Sequence, residues 1–298
     1  MSSAEVLWGR DRPVDGDNEW QRRARRLQSN WREEQDLEAG THCGEPLASR
    51  LTLADGEPPA LRNYMSPASR AQVLAAVRSA PGSGAVLVRP RLWVDLLSSQ
   101  PLCFNAFGEL AADPALAGRV LGRLWPELVA EVQGIRFEYS PGRLDPRYTG
   151  NKSAFDVWVA ATGTRGRGFL GIEVKYHEDM RGKAARDLGY EEMARATGVF
   201  RPERLESLTA PPRQQLLLDH LLALRMQAAH PEQWDWYRSV LLFPSGNTRC
   251  ADVGSDYLGC LADDSTWSTL HLEQLLEAAE AADAGPWVGE VRHRYLGA

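Results

Sequence analysis

The acid Asp156 and the triplet Glu173-Val174-Lys175 are the residues of this chain whose types and spacing could do chemistry together. Two carboxylates converging on one point form a hard-oxygen site, suited to a magnesium ion that keeps several waters and takes its remaining ligands from a phosphate. An ammonium beside them can hold or polarise an attacking water and offset the charge that builds on phosphorus. Asp156 and Glu173 are therefore the candidate metal ligands, with the carbonyl of Val174 as a further oxygen donor and Lys175 as the group at the water. The expected ion is Mg2+, with Mn2+ as its substitute.

These groups can meet only if neighbouring strands carry them. In the run Phe155 to Ala160, strict alternation places Phe155, Val157 and Val159 on one face and Asp156 on the other. A loop containing Thr162, Gly163, Gly166 and Gly168 leads into Phe169 to Tyr176, where Leu170, Ile172, Val174 and Tyr176 share one face and Glu173 and Lys175 the other. A hairpin brings the two strands side by side. An ordinary hairpin with a cross-strand ion pair has the same outline, so the motif alone does not decide the chemistry. A third alternating run, Ile135 to Tyr139, puts Glu138 with Arg136 opposite Ile135, Phe137 and Tyr139.

Helices frame these strands. Asn18 to Gln35 is amphipathic, with Trp20, Ala24, Leu27 and Trp31 on a seam and Arg22, Arg23, Arg25 and Arg26 between them. Its basic side faces either phosphate or plain solvent. Residues 36–66 are rich in Gly, Pro and polar residues and are expected to be irregular. Ser66 to Val77 begins with a capping serine, and Asp113 to Leu128 carries Leu116, Val120, Leu124 and Leu128 at helical spacing. After Pro211 and Pro212, Arg213 to Ala229 forms a strong helix expected to cross the sheet. A short strand, Ser239 to Phe243, and a helix from Leu270 to Ala282 follow.

The chain has 298 residues, enough for a sizeable core, and a net charge of -6 that excludes a general nucleic-acid coat protein. Positive charge is nevertheless concentrated between Gly134 and Arg186, where ten basic residues stand against six acids. Such a surface suits an anionic polymer or is simply a solvated face. Cys43, Cys103, Cys250 and Cys260 are spaced like reduced thiols rather than a disulfide framework or zinc site. The opening Met-Ser-Ser-Ala-Glu lacks the pattern of a secretory signal, and no stretch reaches the length of a membrane span, so a cytoplasmic location is expected. The glycines from Gly163 to Gly168 join two strands and are hairpin residues rather than a phosphate loop. Arg165 and Arg167 at that tip reach nucleic acid or keep the loop soluble, and Trp234, Trp236 and Tyr237 either stack on bases or anchor the core. His177 borders the motif.

Several segments resemble the PD-(D/E)XK nuclease superfamily, in a restriction-endonuclease-like branch. The acid, hairpin and E-x-K of Asp156 and Glu173-Val174-Lys175 have its form. So do Phe137 to Arg143, Arg147 to Asp156, Gly171 to Glu178 and Ser98 to Asn105. The resemblance implies an additional active-site acid at Glu138 and a glutamine at Gln215, with Gln214, Asp219 and His220 beside it, that orients water or phosphate. It implies an α/β fold: a restriction-endonuclease-like mixed central sheet flanked by helices, with a helical N-terminal extension. The superfamily order is a helix, three strands, a helix and a strand. One domain over residues 1–298 is expected, with 1–112 as the extension and 113–298 as the catalytic core. The implied activity is magnesium-dependent cleavage of DNA in bacterial defence, with no membrane and with a homodimer where both strands are cut. The alternatives are a silent nucleic-acid- or partner-binding protein on the same fold, and a nuclease acting on RNA or branched DNA.

Overall fold

Three helices, three antiparallel strands, then alternating helices and parallel strands make up the frame of a computed structural model that describes residues 14–81, 85, 87, 89–182, 184–186 and 188–298. The amino-terminal residues read as lacking a signal, and Lys183 of the basic stretch, lie outside the described residues. In chain order the elements are α1 (Glu19–Glu34), β1 (Ala39–His42), β2 (Glu45–Leu51), α2 (Pro67–Ser79), α3 (Ser99–Ala112) and α4 (Pro114–Leu124). Next come β3 (Glu131–Tyr139), β4 (Phe155–Gly163), β5 (Gly166–Val174), α5 (Tyr190–Thr197), α6 (Gln214–Ala229) and β6 (Trp236–Phe243). The chain finishes with α7 (Thr248–Leu258), β7 (Trp267–His271), α8 (Leu272–Glu280) and α9 (Trp287–Leu296).

Local chemistry sets the helix starts. Asn18 accepts from the Gln21 amide while the Gln21 side chain accepts from the Asn18 amide, a reciprocal cap worth about 1 kcal/mol. Ser66 and Ser69 do the same for α2, and Asp113, followed by Pro114, caps α4. α4 stops at Leu124, short of the expected Leu128.

The sheet order is β3-β4-β5-β6-β7, with β3, β4 and β5 antiparallel and β6 and β7 joining in parallel. This is the mixed sheet flanked by helices that the sequence implied. The β4–β5 turn closes on the pair Gly163 and Gly166, and Gly166 has φ +88°, a conformation glycine adopts without steric cost. On one face, α3, α4, α8 and α9 pack against Val157, Val159, Leu170, Ile172 and Val174. On the other, α6 lies across the sheet, with Leu222, Ala223 and Met226 against Trp158, Phe169 and Trp234. Trp234, Trp236 and Tyr237 are all buried, so they anchor the core.

Residues 36–66 contain more order than expected. β1 and β2 form an antiparallel hairpin over a separate apolar cluster that includes Trp31, Tyr64, Trp93 and Phe104. The basic side of α1 is largely occupied within the protein. Arg25 is buried against Asp17 and Ser49, Arg32 bonds the Ala48 carbonyl, and Arg22 and Arg23 bond backbone carbonyls of Asp17 and Leu296. Among the described residues no helix is long and apolar enough to cross a membrane, and the four cysteines are free thiols.

Candidate active site

The end of β5 carries Glu173 into the space under α6. Glu173 Oε1 accepts from Lys175 Nζ at 2.5 Å and from Gln215 Nε2, on the first turn of α6, at 2.5 Å. Glu173 and Lys175 are only 7% and 8% exposed, so their ion pair is sheltered from screening water. Asp156 Oδ2 accepts from the Val174 amide at 2.8 Å, which ties the start of β4 to the residue between Glu173 and Lys175. The structure thus brings Asp156, Glu173, Lys175 and Gln215 to one end of the sheet. The Val174 group seen at Asp156 is its N–H.

Two placements differ from strict alternation. Phe155 does not share a face with Val157 and Val159: its ring sits over Gly171 and beside Phe169, on the α6 side, while the two valines face α3 and α4. The β4–β5 ladder ends at Val157 and Ile172, and beyond it β4 is free to twist at Asp156. Glu138 likewise leaves the face of Arg136. It has φ +50°, so the strand turns over there; Phe137 stacks on Phe104 of α3, whereas Tyr139 and Arg136 pack on Trp158 on the opposite side. The Glu138 carboxylate meets Gln100 Nε2 of α3 at 3.2 Å and Arg143 at 3.5 Å, close enough to Asp156 to perturb it. A left-handed residue other than glycine costs about 1 kcal/mol, and sequence periodicity does not show it.

Three further groups line the site; the resemblance places one of them, Asp219, beside Gln215, and the sequence gives Glu178 and Gln100 no role. Glu178 Oε1 accepts from the Ser99 amide at 3.2 Å and from Ser99 Oγ at 2.8 Å, and Oε2 accepts from the Tyr176 amide at 3.0 Å. Asp219 sits one turn after Gln215, and among the described residues its buried Oδ2 has no hydrogen-bond partner. Gln100 is the third. The Ser98 to Asn105 resemblance was the available signal for Ser99 and Gln100, and i,i+4 spacing from Gln215 was that for Asp219. Behind the site, Trp20 Nε1 and Asn247 Nδ2 donate to the Tyr176 carbonyl at 2.7 and 3.0 Å, so α1 and the start of α7 pin the backbone just after Lys175.

The electrostatics are those of crowded acids. Burial, then Glu173 and Glu138, raise Asp156 well above the usual carboxylate range. Burial and Glu173 do the same to Asp219. Burial opposes the Lys175 ammonium, yet Glu173, Glu178 and Asp156 outweigh it and hold its pKa above the ordinary lysine value. Burial also works against the Glu178 carboxylate, but Lys175 and the Tyr176 amide bring it below its usual value. Five carboxylates (Glu138, Asp156, Glu173, Glu178, Asp219) therefore face Lys175 and Arg143, which leaves formal negative charge for a cation to balance.

Among the described residues no three His, Cys, Asp or Glu side chains form a ready cage for a metal. Magnesium needs none, because it binds through one or two carboxylates, waters and substrate phosphate. The orphaned oxygen of Asp219, the hard-oxygen donors and the excess negative charge all fit a divalent cation. His220 does not belong to this set: it is fully buried, bonded to Tyr257 and Thr266, and burial pushes its pKa down to about 3. His177 lies 3.8 Å from Asp17, away from the two strands' acids.

Comparison with curated proteins and with solved structures returns no match. The family model of the PD-(D/E)XK nuclease superfamily matches residues 15–297. That span takes in the hairpin, the pinned strand end and every group described above, and the chain belongs to the PD-(D/E)XK nuclease superfamily.

Proposed function

We propose that the protein is a magnesium-dependent endonuclease that hydrolyses DNA phosphodiester bonds, of the restriction or defence type, with residues 1–298 acting as one catalytic unit. The observation that carries this reading is the convergence of Asp156, Glu173 and Lys175 at one sheet end among crowded, buried acids. Asp156 and Glu173, with the Val174 carbonyl, are the groups that would hold the cation. A divalent ion bound there supplies Lewis-acid stabilisation of phosphate oxygen and a lowered pKa for coordinated water.

The chain's own residues do the rest. Lys175, held charged by its neighbours, presents an ammonium to the attacking water and to the charge developing on phosphate. Gln215 fixes the Glu173 carboxylate by its 2.5 Å hydrogen bond and so sets the angle at which that acid is offered. Glu138, anchored by Gln100 and Arg143, adds negative charge on the α3 side of Asp156. One such centre handles one strand, so cutting a duplex through both strands calls for a second copy.

The test is digestion of plasmid and linear DNA with magnesium, comparing wild type with Lys175→Ala, alongside RNA and branched DNA. Cleavage by the wild type that disappears in EDTA and in the variant supports the reading. Cleavage that survives Lys175→Ala removes Lys175 from the mechanism, and preferential digestion of RNA replaces the substrate.

A further inference from the structure

A cleft of about 370 Å3, lined by apolar and charged side chains, opens beside the candidate active site, between the β1–β2 hairpin and the start of α3. Its wall includes His42, Ser49 and Arg50 from the hairpin, Arg91 and Ser98 before α3, and Glu178 at its inner end. We propose that this cleft seats the phosphate backbone of the nucleic-acid strand as it leaves the reaction centre, with Arg50 and Arg91 as its phosphate contacts. The inference rests on the nuclease reading and adds to it the route of the substrate.

Three observations carry it. The first is charge. Arg50 and Arg91 line the cleft beside the acids Asp95 and Glu178, and Arg25, also in its wall, is paired with Asp17, within a chain whose net charge is -6. Asp95 accepts from the Leu97 amide, and Glu178 accepts from Ser99 and from the Tyr176 amide while its Oε1 also lies 3.5 Å from Arg91. Burial raises the Asp95 carboxyl, while the Leu97 amide, Arg91 and Arg50 pull it back down.

The second is availability. Arg50 makes no ion pair among the described residues, and its Nη1 bonds the ring Nδ1 of exposed His42 at 2.9 Å. The Arg91 side chain is 42% exposed and contacts Glu178 at 3.5 Å and Ser98 Oγ at 2.9 Å, geometry that leaves guanidinium donors directed to solvent. Such donors match phosphate oxygens, and Arg is the residue type best shaped for them.

The third is continuity. Glu178 forms the inner end of the cleft and perturbs Lys175, so the cleft and the reaction centre share a wall. The hairpin that makes the outer wall is held by Arg25, whose guanidinium spans from Asp17 to Ser49 of β2. That gives the early hairpin a role beyond packing.

The test is fluorescence anisotropy of the full chain in EDTA, with a labelled poly-dT strand and a labelled duplex, titrated at several salt concentrations. Arg50→Ala is expected to weaken binding about threefold to tenfold and to reduce the slope of log affinity against log salt by about 0.7 to 0.9. Arg50→Lys should keep most of the affinity, and Arg78→Ala, exposed at the end of α2, should bind as the wild type does. Thermal unfolding of each variant shows whether a loss is one of folding instead. Wild-type affinity and salt slope in a folded Arg50→Ala, with magnesium-dependent cleavage intact, overturn the cleft and leave the nuclease reading standing. A wild type that neither binds nor cleaves any strand offered overturns both.

Discussion

Replacing Lys175 by methionine keeps its volume and removes its charge, and the structure fixes what that should cost. Glu173 lies 2.5 Å from the ammonium, with side-chain exposures of 10% for Lys175 and 7% for Glu173, so the pair is not discounted for solvent. Removing one member of a buried pair typically costs about 3–5 kcal/mol, because the other charge is left uncompensated. There is a ceiling: a stranded carboxylate can take up a proton, which at pH 7 costs an ordinary glutamate about 3–4 kcal/mol. Lys175→Met should therefore lose about 3–4 kcal/mol in urea unfolding at pH 7 in chelator. At pH 5 the same escape costs only about 1 kcal/mol, and the deficit should shrink accordingly. Added magnesium should narrow the difference as well, by supplying positive charge to the same acids. A variant as stable as the wild type in chelator at pH 7 would refute the argument that Lys175 offsets the acid cluster.

Other perturbations probe the supports of the site. A β-carbon on Gly171 would lie 2.5 Å from the Phe155 ring, so Gly171→Ala should cost about 1–3 kcal/mol by overpacking. It should also impair cleavage, because Phe155 precedes Asp156, and thermal unfolding together with the plasmid assay reads both effects. At Glu138, φ +50° makes Glu138→Gly more stable than Glu138→Ala by about 1 kcal/mol in urea titration. His220 is neutral and buried, with its pKa pushed down to about 3. The unfolded chain binds that proton near pH 6.5, so the contribution is complete above that pH and is lost as pH falls toward 3, about 5 kcal/mol in all. His220→Gln should flatten this acid limb of the stability profile.

The parts legible in the sequence were those governed by periodicity and local caps. The alternation of Phe169 to Tyr176, the Leu-rich stripe of α6 and the cap at Ser66 each report a contact within a few residues, and a strand or helix formed at each. What stayed hidden depends on distant chain. β7 has only five residues and is defined by its pairing with β6, and α7 and α9 by the helical layers they complete. The β1–β2 hairpin was masked by its Gly and Pro content, although Gly40 is required there because the Leu51 carbonyl lies 2.0 Å from where its β-carbon would be. In the site, the E-x-K spacing exposed Glu173 and Lys175, but Glu178 is held by Ser99 and Arg91, residues far earlier in the chain, as well as by the Tyr176 amide. The reversed direction of Glu138 follows from one backbone angle.

The central claim is that Asp156 and Glu173 grip a divalent ion, and anomalous diffraction from a crystal soaked in manganese tests it most directly. The account predicts a single strong peak between these two carboxylates, lost in Asp156→Asn. A peak elsewhere on the protein, with none at the end of β5, would contradict it.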